Sequence, residues 1–149
     1  MRTHLLIANQ TLGGPDLRRV IQARMEEGPA RFHVVVPATR RSGLMERAVD
    51  AYAGEPDAND ILDERAAAAR RLERELARLR SIGAEADGEI GDADPVQAAC
   101  RALAAHDFDE VILSTLPAGA SRWLKLDLPH RLERTLDRPI THIEGPAAS

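Results

Sequence analysis

The stretch Gly91–Ser121 limits what this chain can fold into more than any other. Asp94 followed by Pro95 marks a helix start: a carboxylate that caps, then a ring whose fixed φ suits the first turn. Gln97 stands where a capping-box partner reaches back. Val96, Ala99, Cys100 and Leu103 recur at helical spacing and give the segment one apolar face. Asp107-Phe108-Asp109 breaks that pattern. Glu110-Val111-Ile112-Leu113 then reads as a short buried strand that empties into a small-residue loop at Ser114-Thr115, where N–H and hydroxyl groups can meet an anion. Helix, turn, buried strand and loop make half of a parallel α/β unit.

The rest of the chain repeats that unit. His4–Asn9 is a continuous apolar run, the mark of a strand buried on both faces. Gln10–Pro15 follows as a tight loop with the glycine pair Gly13-Gly14, either an anion-accepting loop at a helix N-terminus or a plain strand-to-helix turn. Leu17, Val20, Ile21 and Met25 form the inner face of the helix that Pro15 starts and Gly28-Pro29 stops. Phe32–Val36 is the second strand, ended by Pro37. The connection Ala38–Asp60 is long, with helical turns expected at Leu44–Val49 and an exposed turn at Gly54–Asp57. Within it, Arg40-Arg41-Ser42-Gly43 is either a phosphate clamp or a solvated loop tip. Asp60 is expected to cap the longest helix, whose buried stripe reads Leu62, Ala66, Ala69, Leu72, Leu76 and Leu79, with Gly83 at its end. Ala84–Ile90 is a weak, polar third strand suited to a sheet edge. Leu128–Arg134 is a final helix, Pro139–Ile143 the fifth strand, and residues 145–149 a small-residue tail expected to fray after a domain spanning 1–144.

Gly91-Asp92-Ala93-Asp94-Pro95, the helix behind it and Asp109–Thr115 resemble the C-terminal half of universal stress protein domains. Arg138-Pro139-Ile140-Thr141-His142-Ile143 is similar to that family's last strand, and order and length fit over nearly the whole chain. The resemblance implies an α/β fold: a five-stranded, doubly wound parallel sheet in the order 3-2-1-4-5, with helices on both faces. Right-handed crossovers lead to the same order. Nucleotide-binding members of the family carry a glycine, two residues, a glycine, nine residues, then glycine and Ser/Thr. Here Ser114 takes the first glycine position, and the next glycine after Gly119 is Gly145, so that motif is not completed. Asn9 stands where an acidic residue often ends the first strand.

In such a sheet a crevice opens outside the C-terminal ends of strands one and four, where the winding reverses. That topology nominates Asn9, Gly13, Gly14, Ser114, Thr115, Gly119 and Ser121 as the pocket. Arg122 and Lys125 join them as cations that, with the hydroxyls, can hold a phosphate. Trp123 stacks on a base or packs on the final helix. No cofactor is required by these residues; ATP or another adenine nucleotide is the candidate ligand.

Composition narrows the function classes. Twenty Lys and Arg against 24 Asp and Glu give a net charge of −4, against a general nucleic-acid binder. A single cysteine, Cys100, permits no internal disulfide and reads as a core thiol. No apolar run reaches the length of a membrane span, and Met1-Arg2-Thr3-His4 runs straight into a strand, so a cytoplasmic protein is expected. Hydrolase readings find little support: Gly119-Ala120-Ser121-Arg122-Trp123 lacks the second glycine of a nucleophile elbow. His106–Glu110 is a metal site or a turn; no pair of ligand types has zinc spacing. Three readings stand. One is a dimeric regulatory or scaffold module that binds no ATP, pairing with a second copy through Pro139, Ile140 and Ile143 of the fifth strand. Another is a nucleotide or phosphometabolite sensor using the crevice. The third, an enzyme such as a weak nucleotide hydrolase, lacks a general base in the pocket.

Overall fold

Full burial of a Leu, Ile or Val side chain contributes about 1.5–3 kcal/mol, against about 1 kcal/mol for a helix cap, so the two-sided apolar strands set this fold. The computed structural model describes residues 1–38, 58–92, 94–117, 121–125 and 127–146; the side chains of residues 58–63, 122 and 125 stand outside that description. The expected features at Arg40–Gly43, Leu44–Val49 and Gly54–Asp57 therefore lie outside the described residues.

Strand β1 (Arg2–Ile7) lies at the centre, with Leu5, Leu6 and Ile7 at 0% exposure. It pairs in parallel with β2 (Ala30–Pro37) on one side and β4 (Glu110–Thr115) on the other. β3 (Glu85–Gly91) flanks β2, and β5 (Ile140–Glu144) flanks β4, so the sheet reads β3-β2-β1-β4-β5, as expected. Alternation along each strand sends Leu6, Val34, Val36 and Ile112 to one face and Leu5, Ile7, Val35, Val111 and Leu113 to the other. The first face is covered by α1 (Pro15–Glu26), through Leu17 and Ile21, and by α2 (Ala58–Ser81), through Ala68, Leu72 and Leu79. The second is covered by α3 (Pro95–Ala105), through Val96, Ala99 and Ala102, and by α5 (Leu128–Thr135), through Leu128 and Leu132. A short helix, α4 (Arg122–Lys125), precedes α5.

Several local expectations hold. Gly14 is the N-cap of α1 with Pro15 behind it, and the Asp94 carboxylate accepts from Val96 N at 2.9 Å to cap α3. Cys100 packs half-buried against the second core. Others shift. Helix α2 begins at Ala58, so Asp60 lies inside it rather than at its cap. Its buried stripe passes through Ala68, Leu72, Glu75 and Leu79, and Ala66 is exposed. The run Ala66–Ala69 has no amphipathic contrast, so the sequence pattern carries no phase there. Glu75, 2% exposed, is held by the Arg78 guanidinium. Ser114 and Thr115 belong to β4 itself and are not loop residues. β3 owes its weak pattern partly to Gly88, where a Cβ would come within 2.5 Å of the Val34 carbonyl oxygen and 2.7 Å of Leu72.

At the opposite end of the sheet from the crevice, one carboxylate is buried. Glu110 is 6% exposed and neighbours His4 in register. It accepts from the Arg24 guanidinium and from Thr141 Oγ1 at 3.1 Å. His4 Nδ1 lies 2.8 Å from Glu110 Oε1 without the alignment of a hydrogen bond, while its ring stacks on Phe32. Burial pushes the Glu110 carboxyl up, but Arg24, Thr141 and His4 together hold it below its ordinary range. Burial pushes the His4 imidazole below its ordinary value, against the pull of Glu110.

Both depressed values contribute stability above the unfolded-state pKa that is lost as the pH falls through the folded-state pKa. For His4 the loss starts below its unfolded value of 6.5, and for Glu110 below 4.5. Denaturant unfolding followed from pH 8 to pH 4 is expected to show stability declining from about pH 6.5 downward. His4→Asn is expected to remove the upper part of that decline. Glu110→Ala strands Arg24 and is expected to cost about 3 kcal/mol at pH 7.

Candidate functional site

The winding of the sheet reverses between β1 and β4, and the segments leaving their C-terminal ends face each other there. The loop after β1 is built by two tight bonds, Leu12 N to Asn9 O at 3.2 Å and Gly14 N to Thr11 O at 2.9 Å. Gly13 sits between them at φ +82°, a conformation glycine adopts without strain, so the turn accounts for it. The loop delivers Gly14 to the N-terminus of α1.

Every described polar side chain expected in the crevice is already engaged. Asn9 Nδ2 donates to Pro37 O at 3.0 Å, and Asn9 Oδ1 accepts from Arg71 Nη1 at 2.8 Å. One amide thus ties the end of β1 to β2 and α2. Ser114 is 2% exposed and its hydroxyl lies 2.7 Å from that of Thr11, itself 3% exposed. Thr115 is 1% exposed and its hydroxyl lies 2.9 Å from His142 Nε2. Because adjacent strand residues point to opposite faces, Ser114 and Thr115 do not converge on one anion. Ser121 is 3% exposed; its N–H donates to Pro117 O at 3.0 Å, and its hydroxyl accepts from Leu124 N at 3.2 Å, capping α4. Trp123 packs half-buried against the second core. Arg122 and Lys125 lie in α4 with side chains outside the description, and Gly119 lies outside the described residues.

Gly145 and Pro146 lie beside the same strand end and loop. Gly145 N donates to Thr115 O at 3.0 Å, which holds the first residue of the expected tail against β4. A Cβ on Gly145 would meet the Asp16 carboxylate at 2.5 Å, and one on Gly14 would meet Pro146 O at 3.4 Å. A helix N-terminus attracts negative charge. Here Asp16, in the first turn of α1, and the Pro146 carbonyl oxygen already sit there.

Sequence reasoning missed Thr11, Arg71, Asp16 and His142. Thr11 lay in the nominated loop, and its hydroxyl opposite Ser114 was a usable signal. Arg71 is one arginine among many on α2, and nothing local marks it. Chemically, Thr115 and His142 have the distance of a nucleophile and its base, but a hydroxyl this deeply buried does not reach a substrate. Among the described residues no group of three or more His, Cys, Asp or Glu is placed to hold a metal, and no helix is long and apolar enough to cross a membrane.

A doubly wound parallel sheet of this order, with its crevice at the β1/β4 reversal, defines the class. Solved structures place it further: the chain has the fold of the universal stress proteins. It is similar to a universal stress protein family protein from Arabidopsis thaliana with AMP bound, at 13% identity and TM-score 0.61, over 97% of this chain and 92% of that one. It is similar to the universal stress protein from Archaeoglobus fulgidus in complex with dAMP, at 13% identity and TM-score 0.54, over 96% and 98%. A protein described as hypothetical, its biochemical function assigned from structure, matches at 12% identity and TM-score 0.67, over 99% and 98%. No protein-family model matches the chain, and no curated protein matches it in sequence.

The Thr11–Ser114 pair is testable by a double-mutant cycle. Ser114→Ala or Thr11→Val alone leaves one buried hydroxyl short of its partner and is expected to cost about 1–2 kcal/mol in denaturant unfolding. The double variant removes both and is expected to cost less than the sum of the two.

Proposed function

We propose that this chain is a small regulatory or scaffold module of the universal-stress type whose crevice takes no ATP. The observation that carries the reading is the closure of the crevice by the chain's own groups. Asn9 is tied to Arg71 and Pro37 O, Thr11 to Ser114, and the N-terminus of α1 is covered by Asp16 and Pro146. A nucleotide would have to displace bonds already made, and each satisfied buried pair is costly to break. The unfinished glycine motif supports the same reading. The module acts as a homodimer, pairing through the outer edge of β5, where Ile140 and Ile143 are only partly buried by the chain's own cores.

The competing reading is an adenine-nucleotide sensor. Its support is that neighbours of the same fold were solved with AMP or dAMP. Thermal unfolding separates the two. A ligand at roughly a hundred times its dissociation constant adds about 2.7 kcal/mol, a rise of roughly 5–10 °C for a domain of this size. ATP, ADP, AMP and dAMP, each with and without magnesium, are expected to leave the midpoint unchanged. A rise of that order with any one of them would sink the closed-crevice reading and establish the sensor. Light scattering behind a sizing column is expected to give twice the chain mass, and a monomer would remove the β5 dimer.

A further inference from the structure

Among the described residues, the second face of the sheet is incompletely covered. Helices α3 and α5 lie over β1, β4 and the inner side of β2, and an open groove of about 310 Å³ remains beside α3 along β2 and β3. It shares no residue with the crevice. One wall is the small-residue side of α3, Ala98, Ala102 and Ala105. His33 and His106 also line it, with ring centroids 5.8 Å apart. Arg65 from α2 and Arg101 from α3 reach the same groove, and neither has a hydrogen-bond or ion-pair partner among the described residues.

The polar groups are sorted by kind. His33 Nδ1 lies 3.0 Å from Asp87 Oδ1. Burial pushes the Asp87 carboxyl up, but His33 and Arg31 hold it below its ordinary range, so at neutral pH it is an ionised acceptor. The Asp87 carboxylate therefore accepts from Nδ1 and holds the His33 ring in place at the groove. Glu89 Oε1 lies 3.9 Å from His33 Nε2, and its side chain is half exposed. The Asp92 carboxylate, on the same lining, accepts from Asp94 N at 3.0 Å and has further partners of its own. Among the described residues the groove thus offers two unpaired guanidinium donors, the Glu89 carboxylate as an acceptor beside the His33 ring, and a narrow apolar wall of α3 alanines. Ligand pockets of this size bury a flat body against apolar walls and orient it with a few polar groups.

We infer that this groove is a second binding site, for a small organic acid that carries an amine or hydroxyl on a flat apolar body. The acid group pairs with Arg65 and Arg101, the planar body lies along the α3 alanines, and the donor meets the Glu89 carboxylate beside the His33 ring. Fork-shaped guanidinium donors suit a carboxylate or a phosphate equally, so the test separates the two.

The test follows the ring signals of His33 and His106 by NMR during titration with 4-aminobenzoate, benzoate, aniline and inorganic phosphate. 4-Aminobenzoate is expected to shift both rings saturably. Benzoate and aniline, each missing one end, are expected to bind more weakly. Phosphate is expected to leave the signals in place. The Arg65→Ala/Arg101→Ala double variant is expected to weaken 4-aminobenzoate at least about tenfold. Ala105 is exposed, so Ala105→Trp fills the groove without entering the core and is expected to abolish the shift while the thermal midpoint holds. The inference falls if 4-aminobenzoate gives no saturable shift up to about 10 mM, where a millimolar site is nearly full. It falls equally if binding survives both variants, or if phosphate alone reproduces the shifts and so reveals a bare anion site.

Discussion

The pairing of β1 with β4 is the constraint on which the rest of this structure depends. Winding turns outward in both directions from that pair, so both strands are covered on both faces and have neighbours on both edges. Side-chain alternation then fixes which helix layer each residue meets. Leu6 and Ile112 go under α1 and α2, while Leu5, Ile7, Val111 and Leu113 go under α3 and α5. A slip of one residue in β4 would exchange the two sets and turn Glu110 to the other face, away from Arg24. The same alternation reaches the crevice, where it parts Ser114 from Thr115 and gives each its own partner. Topology opens a crevice at this point, and strand geometry keeps two adjacent hydroxyls from sharing it.

The buried carboxylate at the other end of the pair works against register slip. Glu110 meets Arg24 from α1 and Thr141 from β5, beside His4 in β1. A buried ion pair contributes little net stability over well-packed apolar groups, since desolvation offsets much of the attraction. Its value lies in the cost of alternatives: any other register leaves Glu110 without its donors. One carboxylate therefore fixes β1, β4, β5 and α1 relative to one another. It also makes the fold sensitive to acid, because His4 is kept neutral and Glu110 ionised by the same packing.

Much of the fold was legible in the sequence because apolar runs and helix caps are local signals. His4–Ala8 and Glu110–Leu113 announce strands covered on both faces, and Asp94-Pro95 and Pro15 announce helix starts. Handedness of crossovers supplied the order. The phase of α2 was not legible, because four consecutive alanines look the same from every side and Glu75 is buried only through Arg78. The strand end at Ser114-Thr115 was misplaced because small polar residues look like loop until their partners, Thr11 and His142, are known. Those partners lie far away along the chain, and no spacing rule reaches them. Topology nominates the crevice, while the contacts made there by Arg71 and Asp16, two charged residues in helices full of charge, carry no local signal.

The crevice shows how one backbone leaves the contacts at an opening to its side chains. A doubly wound sheet places a helix N-terminus and two strand ends around one opening, whatever its side chains do. What fills the opening is decided residue by residue. In this chain an amide bridges three elements, two hydroxyls face each other, and Gly145-Pro146 lie beside the N-terminus of α1. Each contact satisfies a group that would otherwise need another partner or water. A shared fold by itself carries no shared ligand. The unpaired cations of the described chain that line a cavity lie instead beside β3, next to α3. Recognition in this molecule has to be sought where polar groups are still unsatisfied, and that criterion points away from the opening that topology alone would choose.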